Sequence, residues 1–165
     1  MMSNKKTFQV DYEIIEEFNN LPNELQELIQ KTIDVLPRAY APYSNFHVSA
    51  GLLLSNDEIL VNVNQENIAF PVGICAERAV LSMIDGLHDF NKTKIKALVI
   101  AFEKQGNVSK GPEFISPCGM CRQAILEYEF RNEAVFPIFM LHQHFNSAIK
   151  VSSIRSLLPF SFDRM

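Results

Sequence analysis

The sequence has little positive charge, no long apolar run and few cysteines, and each shortage argues against a class of protein. Lys and Arg number 15 against 19 Asp and Glu, which gives a net charge of −4. Because no run of Lys or Arg exceeds the pair Lys5-Lys6, phosphate neutralisation is not expected to dominate binding. No apolar stretch has the length of a membrane-spanning helix. Neither nucleic acid nor a membrane is therefore an expected partner.

The start of the chain and its cysteines indicate a compartment. The first residues are polar where a secretory signal peptide would need an apolar run, so we expect the protein to be cytoplasmic. The three cysteines are Cys75, Cys118 and Cys121. In a reducing compartment, an odd number of cysteines favours a metal site or free thiols over disulfides.

Length and composition are typical of one ordinary globular domain. The 165 residues are 47% apolar and 21% charged, enough to bury a substantial core. Residues 1–20 are polar and irregular, and we expect them to form an N-terminal arm or a short helix. Residues 21–165 are expected to form a single domain.

Apolar periodicity predicts helices that alternate with strands. Pro22 is suited to the first turn of a helix that Pro37 ends, and Gly86 is expected to end the second helix. The predicted helices are 23–36, 75–84, 118–129 and a short one at 154–158, and the predicted strands are 46–54, 59–63, 95–102, 137–141 and 148–151. This alternation predicts an α/β sandwich with helices covering a mixed sheet.

The cysteines lie in two short segments that can share a metal. Cys75 lies in Ile-Cys-Ala-Glu-Arg, and the other two lie in Pro-Cys-Gly-Met-Cys-Arg. Three protein ligands leave tetrahedral Zn²⁺ one open position, as a reactive water requires. Glu77, two residues after the first ligand, is well placed to move protons on that water. The pattern predicts a catalytic zinc site.

Both segments also fall where a loop enters a predicted helix. Free backbone N–H groups and the positive end of the helix dipole favour thiolate over thiol there. Taken alone, the Cys-x-x-Cys pair would suit a zinc knuckle half-site or a redox pair equally well. Cys75 and Glu77 shift the balance towards catalysis.

The two segments match the cysteine form of the H-x-E…P-C-x-x-C signature of zinc-dependent nucleobase deaminases. The similarity extends to residues 39–46, 64–67, 73–78, 116–123 and 157–162, which together resemble the small tetrameric cytidine deaminases. The resemblance implies a three-layer α/β/α sandwich with a mixed central sheet, a homotetramer and one Zn²⁺ per chain. It also implies hydrolytic deamination of cytidine and 2′-deoxycytidine to uridine and 2′-deoxyuridine, in pyrimidine salvage.

Two residues beside the cysteines receive specific roles. We expect Glu77 to take a proton from the attacking water and deliver it to N3 and then to the leaving amine. Three thiolates give the metal much negative charge, which makes it a weaker acid than a site of neutral ligands. Arg78 could hydrogen-bond the ligand sulfurs and withdraw part of that charge.

The resemblance also implies contacts with the nucleoside. Asn64 and Glu66 would hold the ribose 3′-hydroxyl, Phe46 would pack near the nucleoside, and Phe162 would reach into the site of a neighbouring subunit. Among the positions that depart from the family's usual residues are Ile68, where a small residue is usual, and Phe70, where tyrosine is frequent.

Four alternatives stay open. The first is a deaminase of another aminopyrimidine, such as blasticidin S, against which the Asn64 and Glu66 pair argues. The second is a nucleic-acid-editing deaminase, which the negative charge disfavours. The third is a non-enzymatic zinc-stabilised module, which leaves Glu77 unexplained. The fourth is a redox protein that uses the Cys-x-x-Cys pair.

Overall fold

The fold is built on a sheet of six strands, in the order β1-β6-β5-β4-β2-β3. The computed structural model describes residues 4–104, 113–142 and 144–162. Its elements are β1 (Glu13–Ile15), α1 (Asn23–Val35), β2 (Phe46–Leu54), β3 (Ile59–Val63), α2 (Ala76–Leu87), β4 (Ile95–Lys104), α3 (Gly119–Asn132), β5 (Ile138–Leu141) and β6 (Ala148–Val151). Short 3₁₀ turns span Phe18–Asn20, Leu36–Arg38, Phe70–Val72 and Ile154–Leu157.

The sheet is mixed, as predicted. Strands β4 and β5 run parallel, whereas the other neighbouring pairs are antiparallel. The parallel pair is joined through α3, which is the crossover that such a connection requires. The bounds of β2, β3 and β6 agree with those predicted from the sequence.

Helices cover both faces of the sheet, which confirms the three-layer α/β/α sandwich. On one face, α1 buries Leu28 and Ile29 against Val99 and Phe139. On the other face, α2 and α3 bury a larger core whose members include Val80, Ile84, Ile125, Leu98 and Ile100. Among the described residues, no helix has both the length and the apolar character needed to cross a membrane.

Helix α1 begins at Asn23, as predicted, but the position of Pro22 in its first turn and the end of α2 at Gly86 were predicted wrongly. Pro22 is the N-cap of α1 and lies just outside its first turn. Helix α2 continues through Gly86 to Leu87, and His88 caps it. A glycine inside a helix costs only about 0.5–1 kcal/mol relative to alanine. Packing of the buried face of α2, which includes Ile84, outweighs that cost.

The predicted arm contains a strand that local sequence did not reveal. Residues Glu13–Ile15 form β1, which pairs antiparallel with β6 at the edge of the sheet. Lys150 of β6 donates to Glu13 at 2.9 Å, and Ile15 packs against the core on the α1 side. The first three residues of the arm lie outside the described part of the chain.

Candidate metal centre and active site

One cavity of about 600 Å³ brings together residues predicted separately from the sequence. It opens beside the N-termini of α2 and α3, where β2 begins and β3 ends. Its walls include six of the predicted site residues, namely Phe46, Asn64, Glu66, Cys75, Glu77 and Cys118. The end of the cavity predicted to bind the metal and the end predicted to bind the sugar, named here the metal end and the sugar end, therefore share a single space.

The three cysteines converge at two helix N-termini. Cys75 is the N-cap of α2 and Cys118 is the N-cap of α3, while Cys121 lies buried in the first turn of α3. The Sγ atoms of Cys75 and Cys118 are 3.9 Å apart, and those of Cys118 and Cys121 are 3.5 Å apart. All three sulfurs lie within 4.8 Å of one another.

This arrangement fits a tetrahedral metal bound by sulfur. With a Zn–S bond of about 2.3 Å, two ligand sulfurs of a tetrahedral site lie roughly 3.8 Å apart. The Cys118–Cys121 and Cys75–Cys118 sulfur separations, 3.5 and 3.9 Å, bracket that value. Three soft thiolate ligands suit Zn²⁺, and the described residues contribute no fourth His, Cys, Asp or Glu ligand to the cluster, which leaves one tetrahedral position open.

The ionisation of the thiols is uneven. Hydrogen bonding with Cys121 is the largest of three effects that lower the pKa of Cys75, and burial opposes them. Together with a hydrogen bond from Cys118 and the charge of Arg78, it brings that pKa to about 6. The pKa of Cys121 is raised by its hydrogen bond with Cys75 and by burial. Negative charge therefore develops first at the N-terminus of α2, where the helix dipole also favours it.

Glu77 is the carboxyl group at this centre. It lies in the first turn of α2, lines the cavity, and is only 5% exposed. Burial raises its pKa, and negative charge on Cys75 adds to that shift. Arg78, the next residue, is half-buried and its positive charge lowers the pKa of both neighbours. A carboxyl group whose pKa is moved towards neutrality suits proton transfer.

The sugar end of the cavity begins with Asn64, directly after β3. Its side-chain oxygen accepts from the Val48 N–H at 2.9 Å, and its amide group donates to the Phe46 carbonyl at 3.0 Å. The side chain is thus fixed against the backbone of β2, with one amide N–H left over from these two contacts.

Glu66 is held by the loop that precedes β2. Its Oε2 accepts from the backbone N–H groups of Tyr43 at 2.9 Å and Ser44 at 3.3 Å, and its Oε1 accepts from the Ser44 hydroxyl. Burial raises the pKa of Glu66, but these hydrogen bonds outweigh that effect and lower it overall. Glu66 is therefore ionised and oriented.

Backbone hydrogen bonds link the two ends of the cavity. Gln65 exchanges hydrogen bonds with Ile74, the residue before Cys75, at 3.0 and 2.9 Å. On the other side, the backbone N–H of Glu66 donates to the Tyr40 carbonyl at 2.8 Å. This three-segment bridge, made of Tyr40, residues 64–66 and Ile74, places both polar sugar-end side chains at a fixed distance from the sulfurs.

The structure accounts for the aromatic positions around the cavity. Phe46 opens β2 and stacks on buried Phe102, with ring centroids 5.7 Å apart. Phe70 lines the cavity and meets Tyr43 edge-on at 6.0 Å. Ile68 is 81% exposed, so its departure from the usual small residue meets no steric conflict within the described chain.

The geometry agrees with comparisons to known proteins. Residues 22–136 match the model of the cytidine and deoxycytidylate deaminase zinc-binding region. The chain belongs to this family. A cytidine deaminase from Mycoplasma genitalium is 34% identical over 141 residues, covering 85% of this chain and 96% of that protein. One from Sporosarcina psychrophila is 32% identical over 143 residues, covering 86% and 93%.

A solved cytidine deaminase structure shares the fold. The enzyme from Burkholderia pseudomallei superposes with a TM-score of 0.66 at 27% sequence identity, covering 83% of this chain and 98% of that one. As a member of the deaminase family, the chain carries the family's zinc-binding region. Within the described residues, Cys75, Cys118 and Cys121 are the cluster that can hold the metal.

One predicted residue, Phe162, lies apart from the cavity of its own chain. Its side chain is 84% exposed, while its backbone exchanges two hydrogen bonds with the Gln123 side chain, at 2.9 and 3.3 Å. The adjacent Arg122 donates to the carbonyls of Leu157 and Pro117, both at 2.7 Å. Helix α3 thus holds the C-terminal segment and leaves the Phe162 ring facing outwards.

Sequence reasoning gave no role to Ser44, Val48, Ile115 or Met120, which also line the cavity. Ser44 lies in segment 39–46, which resembles the family, but its hydrogen bond to Glu66 joins residues 22 positions apart. No local spacing signals such a pair. The apolar members resemble ordinary core residues in the sequence.

Proposed function

We propose that this protein hydrolyses cytidine and 2′-deoxycytidine to uridine and 2′-deoxyuridine, with release of ammonia. The observation that carries the proposal is the buried carboxyl of Glu77 beside three convergent thiols, in a cavity that also holds Asn64 and Glu66. Family membership supports the same reaction.

We assign Cys75, Cys118 and Cys121 as the ligands of one Zn²⁺ per chain. When bound, zinc supplies a Lewis acid that lowers the pKa of water from 15.7 towards neutrality. The partial positive charges at the N-termini of α2 and α3 offset part of the charge of three thiolates. Arg78 adds a full positive charge on the same side, and its Coulombic effect on Cys75 supports this role.

Glu77 is the catalytic acid and base in this proposal. Its carboxylate accepts a proton from the attacking water and delivers it to N3 of the cytosine ring, which makes C4 more electrophilic. The oxygen of the deprotonated water then bonds to C4. Glu77 takes the second proton of that oxygen and gives it to the exocyclic amine, so that the C4–N bond breaks, ammonia leaves and a C4 carbonyl remains. The raised pKa of Glu77 supports this role, because its carboxylate takes up a proton more readily than that of an exposed glutamate.

The remaining cavity residues are assigned to binding. Phe46, Val48 and Ile115 supply an apolar wall for the base. Asn64 and Glu66 bind the ribose 3′-hydroxyl, which ribosides and deoxyribosides share. A site built to satisfy one hydroxyl discriminates against analogues that lack it. This pair favours ribosides and 2′-deoxyribosides over aminopyrimidines that lack such a sugar, such as blasticidin S.

We also propose that the protein is a homotetramer in which the ring of Phe162 enters the site of a neighbouring subunit. The exposure of that ring and the anchoring of its backbone by Gln123 support this assignment. Residues 21–165 would form the deaminase domain, with residues 1–20 as an arm that contributes β1. Action in the cytoplasm, in pyrimidine salvage, belongs to the same proposal.

The decisive experiment follows the loss of cytidine absorbance in the ultraviolet with protein of known zinc content. We expect turnover that requires zinc and that falls at least a hundredfold, on the order of a lost acid–base group, in Glu77→Gln. The variant should retain its zinc and its fold. Ser82→Ala serves as the control, because the Ser82 hydroxyl donates to the Ala79 carbonyl of α2, and neither residue is among those described as lining the cavity.

Each other result has a distinct meaning. No turnover by protein that carries one zinc per chain would exclude cytidine and redirect the search to another aminopyrimidine, such as blasticidin S. Full activity in Glu77→Gln would contradict the assignment of Glu77 as the catalytic acid and base. Absence of both zinc and turnover would overturn the proposed function.

A further inference from the structure

The hydroxyl of Ser44 occupies an unusual position at the sugar end of the cavity. It donates to Oε1 of Glu66 and accepts from the backbone N–H of Phe46 at 3.0 Å. Ser44 itself lines the cavity, as do the other two residues. One hydroxyl therefore joins two groups that the proposed function assigns to nucleoside binding.

The loop around Ser44 is shaped to reach Glu66. Asn45 has φ of 53°, a left-handed conformation that asparagine tolerates better than most residues. Its N–H bonds back to the Ala41 carbonyl at 3.0 Å, which closes the turn. The N–H groups of Tyr43 and Ser44 thereby point at Oε2 of Glu66.

The hydrogen-bond acceptor positions of the Glu66 carboxylate are nearly all filled, and the Ser44 hydroxyl determines which one stays free. An ionised carboxylate has about four lone-pair positions, two on each oxygen. The two backbone donors fill those of Oε2, and the Ser44 hydroxyl fills one of those of Oε1. Within these contacts, one acceptor position is left, on the oxygen that Ser44 binds. The hydroxyl thus fixes which lone pair faces the ligand.

We propose that Ser44 is a positioning residue for sugar recognition: its hydroxyl directs the free lone pair of Glu66 at the 3′-hydroxyl of the nucleoside. This inference rests on the proposed function. Ser44 touches neither the sulfurs nor Glu77 in any contact described above, so it should act on binding and on selectivity between sugars. The chemical step should be almost untouched.

The test compares Ser44→Ala with wild type on cytidine and on 3′-deoxycytidine, which lacks the hydroxyl in question. For cytidine we expect KM to rise about tenfold, the typical effect of one lost hydrogen bond, with kcat within twofold. For 3′-deoxycytidine, kcat/KM should stay within twofold. Because Ser44 is exposed, the variant should fold normally, which circular dichroism and zinc content would check.

Two further variants sharpen the test. Ser44→Thr keeps the hydroxyl and should restore most of the selectivity of the wild type. If Ser44 acts through Glu66, the double variant Ser44→Ala/Glu66→Gln should discriminate no less than Glu66→Gln alone, because effects on one shared contact are not additive. Ser82→Ala is the control for an unrelated serine.

The outcomes separate this inference from the function on which it rests. Cytidine turnover by wild type with equal losses on both substrates in Ser44→Ala would overturn the positioning role alone. So would additive losses in the double variant, or a fall in kcat with KM unchanged. A wild type that does not deaminate cytidine would overturn the proposed function, and this inference with it.

Discussion

Cys75 and Cys118 cap the N-termini of two different helices, and their sulfurs lie 3.9 Å apart. The two residues are 43 positions apart in sequence, so the pair exists only when α2 and α3 pack together. That packing depends on the core on the far side of the sheet from α1, which contains Val80 and Ile125. Metal affinity and tertiary stability are therefore coupled in this fold.

Replacing Cys118 should remove metal and activity together. In Cys118→Ala, two thiols remain to hold Zn²⁺, and the N-cap of α3 loses its sulfur. We expect zinc per chain to fall below a tenth of the wild-type value, as measured by atomic emission, with a lower melting temperature. Met120→Ala, at the exposed rim of the same cavity, should keep its zinc. An active, zinc-loaded Cys118→Ala protein would contradict the ligand assignment.

Two glycines should respond in opposite ways to alanine. A Cβ at Gly51 in β2 would lie 2.1 Å from Thr32 Oγ1 and 2.9 Å from Leu28 Cδ1, so Gly51→Ala should lower the free energy of unfolding by about 1–3 kcal/mol. A Cβ at Gly86 in α2 meets no atom of the described residues within 4 Å, and Gly86→Ala should raise the free energy of unfolding by about 0.5–1 kcal/mol. Urea unfolding of zinc-loaded protein measures both; changes of the same sign would contradict the packing described.

Glu129 should make stability depend on pH in mildly acidic solution. This carboxyl is 5% exposed on α3 and accepts from the Ser153 hydroxyl at 2.8 Å and the Ile154 N–H at 3.0 Å. Burial raises its pKa above the ordinary value of 4.5, despite those hydrogen bonds. In the window between 4.5 and the raised pKa, the unfolded chain has released a proton that the folded protein still holds.

The contribution of Glu129 to stability is therefore largest at low pH and falls as pH rises through that window. Glu129→Gln removes the titration but keeps one carbonyl acceptor. The free energy of unfolding of wild type minus that of the variant should decrease from pH 4.5 upwards and then level off. Subtracting the variant cancels the pH dependence of metal binding. A difference that rises with pH would contradict the direction of this shift.

Variants of Phe162 and of Gln123, which hydrogen-bonds its backbone, should show whether the ring contributes to substrate binding or to subunit assembly. Phe162→Ala removes a ring worth about 1.5–3 kcal/mol if buried in a neighbouring subunit, so KM should rise about tenfold or the tetramer should dissociate. Gln123→Ala keeps the ring but releases its backbone, and its effect should be similar in kind and smaller. Light scattering and steady-state kinetics measure both, with exposed Leu87→Ala as the control. Unchanged mass and KM in Phe162→Ala would limit that residue to local packing.

The sequence predicted the elements whose signal is local. The bounds of β2 and β3 follow from two apolar segments separated by a turn that begins at Ser55. The two cysteine segments mark the starts of helices α2 and α3. The prediction that α2 ends at Gly86 was wrong. One glycine inside a helix costs less free energy than is gained by burying the face of α2 that contains Ile84. Strand β1 could not be predicted from local sequence, because a short strand forms only against a partner and its partner, β6, lies about 135 residues further along the chain.

The predicted site divides in the same way. Cys75, Glu77 and Cys118 were identified from spacings of two or three residues, and the cavity contains all of them. The orientation of Glu66 depends on Tyr43 and Ser44, which the fold brings in from more than 20 positions away. Reactive residues in short motifs can therefore be predicted from a sequence. The residues that orient them by hydrogen bonding come from distant segments, and they become apparent only in the tertiary structure.

The backbone bridge through Gln65 has a consequence for the motions of this protein. Tyr40, residues 64–66 and Ile74 are hydrogen-bonded to one another, and Ile74 directly precedes Cys75. Fixing the Cys75 sulfur should therefore restrain opening of all three segments as one cooperative unit. Their amide protons should exchange with solvent at a common rate that slows when the metal is bound. Occupancy at the sulfur end would in this way set how rigid the sugar end is before any nucleoside arrives.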